Sequence, residues 1–495
     1  MDRRRFLQGL LSGAAVAALA PQALAGDPAA FARGLARDPM LAGWRPVGAE
    51  SLGPGTATIE GRLPADLAGT LYRNGPAWFE RAGFRYDHWF DGDGMVHGWT
   101  IADGRVVHRA RMVETPKFAR ERREGRFVMP AAGSEVPGQK PVRNNDDANT
   151  ANTSVMVLGG RLFALYEGGS AFEMDPATLA TTGAKAWRPD LAALPFSAHP
   201  LVDRDGSVWN FGAINLMGGS GLMLYHLAAD GRALAAQVLE TPVQGYLHAF
   251  SMTERELVFV LAPFDLGDSG PFFERLRFTP DVGVRIAVVP KDDLNAARWF
   301  EADFGMCYHF GDAHRRGDVI TVRAVRHTDL DAARSPMQAA MAGHGLGTPG
   351  SEELVELRID TRRGTATWHD LGLRALEFPL FDARTPGDAP ARLYAPTAVD
   401  GSPVLNAVVA FDARRGGRQV HRYGAGVIAE EHVFVPRPES RRVDDGWLLG
   451  TVYDTRRDRR GLAVLDARRV DDGPLGIAWV DYGFPLGFHG TFAPA

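Results

Sequence analysis

Fourteen histidines are spread along the 495 residues, and four of them sit in strongly apolar stretches. His199 lies in Pro195-Phe-Ser-Ala-His-Pro, His248 in Gly245-Tyr-Leu-His-Ala-Phe, His309 in Met306-Cys-Tyr-His-Phe, and His489 in Phe484-Pro-Leu-Gly-Phe-His-Gly-Thr-Phe. Chain ends usually fray, so a terminus built of aromatics and glycines with almost no charge is expected to be buried, with His489 inside. A buried imidazole needs a partner, and the neutral ring is the commonest metal ligand among side chains. Taken one at a time, each of the four reads first as a core histidine bonded to a backbone carbonyl. His314, His327 and His344 have polar neighbours and are expected in solvent; His226, His369 and His421 sit on alternating runs and are expected to face outward. No H-E-x-x-H, zinc-finger spacing, G-x-S-x-G elbow or glycine-rich phosphate loop is present. Cys307 is the only cysteine, so neither a thiolate cluster nor an intrachain disulfide can form.

The elements that must position these side chains are strands. From Ala57 onward short β-type runs alternate with turn chemistry, and Asp-Gly pairs at 91, 93, 103, 205, 230, 400, 445 and 472 give the hairpin signal. Asp360-Thr-Arg-Arg, Asp412-Ala-Arg-Arg, Asp454-Thr-Arg-Arg and Asp466-Ala-Arg-Arg each follow a strand-like run, the first three 52 and 42 residues apart. Propeller blades repeat at roughly 40–50 residues, and Asp caps such turns with its side chain. The reading is one large all-β domain over 26–495, a propeller, with one short helical insertion from Ser335 (N-cap) and Pro336 (N1) to Met341. In a propeller the inner strand of each blade can send one ligand to the central axis, so ligands are expected far apart in sequence.

Residues 1–25 read as a signal peptide of the twin-arginine type. Arg3-Arg4-Arg5-Phe6-Leu7 precedes an apolar run from Gly9 to Ala20, too short to span a bilayer, and Ala23-Leu24-Ala25 forms an A-x-A cleavage site. Export to the periplasm is therefore expected. Net charge is -5 with pI about 6.3, and no basic block occurs beyond the N-terminus, which argues against nucleic acid as a partner.

A longer pattern crosses nearly the whole chain: Leu71-Tyr-Arg-Asn-Gly-Pro76, Trp89-Phe-Asp-Gly-Asp-Gly-Met-Val-His97-Gly, Leu165-Tyr-Glu-Gly-Gly169, Ala198-His-Pro, Glu377-Phe-Pro, Val433-Phe-Val-Pro-Arg437 and Gly487-Phe-His-Gly490. In this order they resemble the carotenoid cleavage oxygenases, a family that includes the lignostilbene dioxygenases. The resemblance implies a seven-bladed β-propeller with Fe(2+) on its axis, held by His199, His248, His309 and His489. It places carboxylates behind the ligands at Glu167, Glu377 and Glu431, where accepting an Nδ1–H fixes the tautomer and aims Nε2 at the metal. It implies O2 and an apolar alkene as partners, a carotenoid or apocarotenoid first and a lignostilbene-type phenylpropanoid second, with contact at a membrane surface as a route of uptake. Lys140 is a candidate for a phenolate, against its plainer reading as a surface lysine. A propeller that only binds, without chemistry, is the reading from another class. The sequence departs from the family pattern at Ala249 after His248, at Asp312-Ala313 after His309, and at Glu430-Glu431-His432. The last leaves Glu430 as an alternative to Glu431, with His432 expected to be exposed.

Overall fold

The computed structural model describes residues 26–495 other than 217, 218, 348–350, 386 and 388; the expected signal peptide lies outside the described residues. Seven antiparallel sheets of four to six strands follow one another in chain order and form the blades of a propeller. Asp103-Gly104 turns the chain between Asp93–Ala102 and Arg105–Met112 with both residues at positive φ (50° and 70°), the backbone a two-residue hairpin needs.

The ring is closed from both ends of the chain. In the first blade the C-terminal strand Gly490–Pro494 pairs with Gly69–Trp78, taking the innermost place. In the seventh, Thr58–Gly61 from near the N-terminus pairs with Pro474–Val480 as the outermost strand. The seam is apolar: Leu71, Trp99 and Ile101 of the first blade pack with Trp447, Leu462 and Val464 of the seventh. Each such buried side chain contributes about 1.5–3 kcal/mol. This closure is why the histidine-bearing terminus is ordered and buried.

The turn aspartates act as read. Asp360, Asp412, Asp454 and Asp466 each accept from the backbone N–H two residues on, at 2.9–3.1 Å. Only three are equivalent, however. Asp360, Asp412 and Asp466 end the third strands of blades five, six and seven, whereas Asp454 ends the second strand of blade seven. The helical insertion begins earlier than expected, spanning Leu330–Met341 with Pro336 inside it. The preceding Leu-Asp-Ala-Ala-Arg run is itself helix-forming, which outweighs the single backbone donor lost at the proline. Two further helices, Pro28–Arg37 and Pro116–Glu124, follow Asp27 and Thr115 as N-caps.

Candidate metal centre

The four apolar-context histidines meet on the axis. His199 stands just before Leu201–Val202, the first strand of blade three. His248 lies between Gly245–Tyr246 and Ser251–Met252 of blade four, His309 inside Met306–Arg316 of blade five, and His489 directly before Gly490–Pro494 of blade one. Register shifts between Cys307 and Phe310 and between Phe310 and Ala313 break the strict alternation at His309. The four ligand atoms lie within 4.8 Å of one another; Nε2 of His199 is 2.8 Å from Nε2 of His248, and Nε2 of His309 is 3.1 Å from Nε2 of His489.

The other three blades each send a carboxylate behind this cluster. Glu167 of blade two meets Nδ1 of His248, Glu377 at the entry to blade six accepts from Nδ1 of His309 at 2.7 Å, and Glu431 of blade seven accepts from Nδ1 of His489 at 2.8 Å. Every blade thus contributes one residue. His199 alone has no carboxylate on its ring among the described residues. Burial first, and then the neighbouring imidazoles, push His199 and His248 well below the ordinary histidine range; burial, His309 and Arg73 do the same to His489. With Nδ1–H donated backward, three Nε2 lone pairs converge on one point. A metal bonded to imidazole nitrogen at about 2.0–2.1 Å places neighbouring donors about 3 Å apart, which the two Nε2 pairs match, so the donor set fits a divalent cation.

The two adjacent glutamates of blade seven have separate tasks. A register shift between Ala429 and His432 turns both inward. Glu431 also accepts from Gly490 N at 2.7 Å and from Arg73, and burial lifts it to about 6 despite that arginine. Glu430 instead accepts from Gly487 N at 2.6 Å and from Arg460 at 2.9 Å, and orders the backbone leading to His489. Burial opposes its ionisation, but Arg460 and Arg73 hold it below the usual carboxylate range.

Other histidines fall elsewhere than their sequence context suggests. His327 is buried at the end of Val319–His327, and its Nε2 donates to Glu377 at 2.6 Å. Glu377 therefore takes two imidazole N–H groups. Burial works against its charge, yet His309 and His327 keep it well below the usual carboxylate range. His314 is also buried, beside Asp312. His432, expected in solvent, is fully enclosed between the Tyr423 hydroxyl and the Glu430 carbonyl, each 2.7 Å away. His344 and His369 are exposed as expected, and His421 is half-buried. His226 is half-buried too, its ring stacked on Trp209 at 3.8 Å. Lys140 pairs with Glu124 and is not part of the cavity wall.

That cavity, about 2070 Å³, reaches the cluster at His248, His309 and His489, and its walls include Trp44, Trp89, Phe90, Phe273, Ile428 and Phe488. Phe378 sits at the metal end, 4.8 Å from the His309 ring and 5.2 Å from that of His489, on a backbone with φ 53°. A phenylalanine in the left-handed region is strained. Its N–H bonds Glu377 at 3.1 Å, which ties the strained turn to the carboxylate.

Fold and site together define a seven-bladed propeller whose axis carries a four-histidine cluster fit to hold a metal ion. The sequence profile described as retinal pigment epithelial membrane protein matches residues 44–494. Apocarotenoid-15,15'-oxygenase of Synechocystis sp. is 29% identical over 455 residues, covering 88% of this chain and 92% of that protein. Lignostilbene-alpha,beta-dioxygenase isozyme III of Sphingomonas paucimobilis is 28% identical over 478 residues, with coverages of 88% and 93%. The crystal structure of the cobalt-substituted Synechocystis oxygenase superposes with a TM-score of 0.82 at 26% identity, over 92% of this chain and 98% of that one. The chain belongs to the carotenoid cleavage oxygenase family. It is an alkene-cleaving dioxygenase of that family.

Proposed function

We propose that the protein is an Fe(2+)-dependent dioxygenase that cleaves one C=C bond of a carotenoid or apocarotenoid into two carbonyl products. The observation that carries this reading is the convergence of four histidines on one end of a large, mostly apolar cavity. Ordinary small-molecule sites occupy about 300–1,000 Å³; one about twice that size suits a long polyene better than a compact stilbene. Lys140, the group that could have met a phenolate, is engaged with Glu124 outside the cavity.

His199, His248, His309 and His489 would hold the iron through Nε2. Bound iron supplies the activation of O2, and the electron-rich alkene supplies the electrons, so no nicotinamide or flavin is needed. The chain's own tasks are three. Glu167, Glu377 and Glu431 hold the Nδ1 protons and so keep the metal-facing nitrogens unprotonated. Trp89, Phe90 and Phe488, whose rings pack at 4.6–5.3 Å around Phe488, build a wall that excludes water and guides an extended chain to the centre. Phe378 limits how closely that chain approaches His309 and His489. At the cavity rim Leu266 and Phe272 are exposed, which supports contact with an apolar phase during uptake. The signal sequence supports export by the twin-arginine route, which carries folded protein, to a periplasmic site of action.

Imidazole nitrogens serve iron and zinc alike; the activation of O2 asked of the centre favours iron, because zinc has no redox chemistry. Protein purified without oxygen is expected to carry one iron per chain by elemental analysis. Stoichiometric zinc, with no activity after iron reconstitution, would remove the iron from this reading.

A further inference from the structure

Gly26, the residue that follows the Ala23-Leu24-Ala25 cleavage site, is already part of the fold. It is buried and forms an antiparallel bridge with Arg85, whose N–H donates to the Gly26 carbonyl at 3.0 Å. Its own N–H donates to the Asp87 carboxylate. No other residue type fits there: a Cβ would lie 2.6 Å from the Arg85 carbonyl oxygen and 3.1 Å from Oδ1 of Asp87.

The surroundings are short of a cation. Among the described residues no lysine, arginine or histidine forms an ion pair with Asp87. Its backbone N–H donates to the Ser134 hydroxyl at 2.7 Å, and that hydroxyl donates to Asp91 at 2.6 Å, so one serine ties the Asp87 backbone to the Asp91 carboxylate. Burial, and then the charges of Asp91 and Glu274, push Asp87 up to about 6. Arg85 is spent elsewhere, on the carbonyls of Met341 (2.7 Å) and Trp44 (2.8 Å) and on Glu80.

We propose that signal-peptide cleavage between Ala25 and Gly26 makes the α-ammonium of Gly26 the missing cation of this cluster, docked on Asp87. The proposal rests on the export reading given above. Hydrolysis of the Ala25–Gly26 bond gives a carboxylate on the leader and an amine on the chain, water supplying the hydroxyl to one and a hydrogen to the other. The amine takes a proton from solvent. An amide with one hydrogen to donate becomes a cation with three, and charge-assisted bonds of this kind are about twice as strong as neutral ones. Gly26 must leave its bridge to be cut, and the new end returns charged. The segment it closes against continues into Trp89, Phe90 and Asp91 of the cavity wall.

The test uses exported protein, and separately protein made without the leader from a start methionine placed before Gly26, which the host removes. N-terminal mass spectrometry of the exported protein is expected to give Gly26; intact leader, or a different terminus, contradicts the cleavage step. The α-amino pKa is then read from the pH dependence of its reaction with cyanate in the folded protein. Docking on Asp87 raises it by about one unit above the usual ~8, equivalent to about tenfold slower reaction at neutral pH, and Asp87→Asn abolishes the rise. An ordinary or lowered value in both the wild type and the variant overturns the docking, whichever way export turns out. The leaderless protein keeps the two failures apart, because it carries the Gly26 terminus without passing through export. Should Asp87→Asn not fold, an Ala-Ser extension before Gly26 serves instead: it moves the ammonium off Asp87 and is expected to restore an ordinary pKa.

Discussion

His489→Ala is expected to leave a folded chain that binds iron poorly and turns over no substrate above the background of metal-free protein. The reason for expecting a folded chain lies in what remains around Glu431. That carboxylate loses the Nδ1–H of His489 but keeps Gly490 N at 2.7 Å and the Arg73 guanidinium. The substitution therefore does not strand a buried charge, which would cost several kcal/mol. The backbone is held independently: Asn74 N donates to the His489 carbonyl at 2.9 Å, and Arg73 donates to that of Phe488, also at 2.9 Å. Three donors remain for the metal, and they come from three other blades. Circular dichroism, iron content and turnover measured on one preparation check the prediction. A variant with normal iron and normal rate takes His489 out of the site.

Glu377→Gln is expected to lower iron affinity or turnover by about 10–100-fold, with little loss of thermal stability. The geometry makes the argument specific. Glu377 accepts from two imidazole nitrogens, Nδ1 of His309 at 2.7 Å and Nε2 of His327 at 2.6 Å. A glutamine offers one acceptor oxygen and one donor NH2, so it cannot serve both rings in their present tautomers. If His309 gives way, its proton moves to Nε2 and the lone pair facing the metal is lost. If His327 gives way, its proton moves to Nδ1, a buried atom with no hydrogen-bond partner among the described residues. Melting temperature, iron off-rate to a chelator and kcat, determined together, separate these effects from unfolding. Unchanged off-rate and unchanged kcat contradict a role for Glu377 in holding His309.

The sequence carried the four histidines in two ways, through their apolar neighbours and through the family pattern around them. What it could not carry follows from backbone irregularity. Strand alternation assigns neighbouring residues to opposite faces, but the register shift between Ala429 and His432 puts Glu430, Glu431 and His432 all inside. No local signal separates the carboxylate that holds His489 from the one that holds Arg460. His327 was misread because Arg326, Thr328 and Asp329 flank it. It ends a strand, and the direction in which a strand end points depends on the neighbouring blade, here on Glu377. The spacing of Asp360, Asp412 and Asp454 suggested the repeat, yet Asp454 shares the turn chemistry without the place in the blade that Asp360, Asp412 and Asp466 hold. Turn chemistry reports that a strand ends, not which strand it is.

The central claim is that both atoms of one O2 enter the two halves of a cleaved alkene. The direct measurement is reaction under ¹⁸O2 with an apocarotenoid, and in parallel a stilbene, for short times. Carbonyl products are reduced at once to alcohols, so that exchange with water does not erase the label, and both fragments are read by mass spectrometry. The account predicts one ¹⁸O in each fragment, with the apocarotenoid the better substrate. One labelled and one unlabelled fragment, the second oxygen coming from water, would contradict it, as would products that carry no label at all.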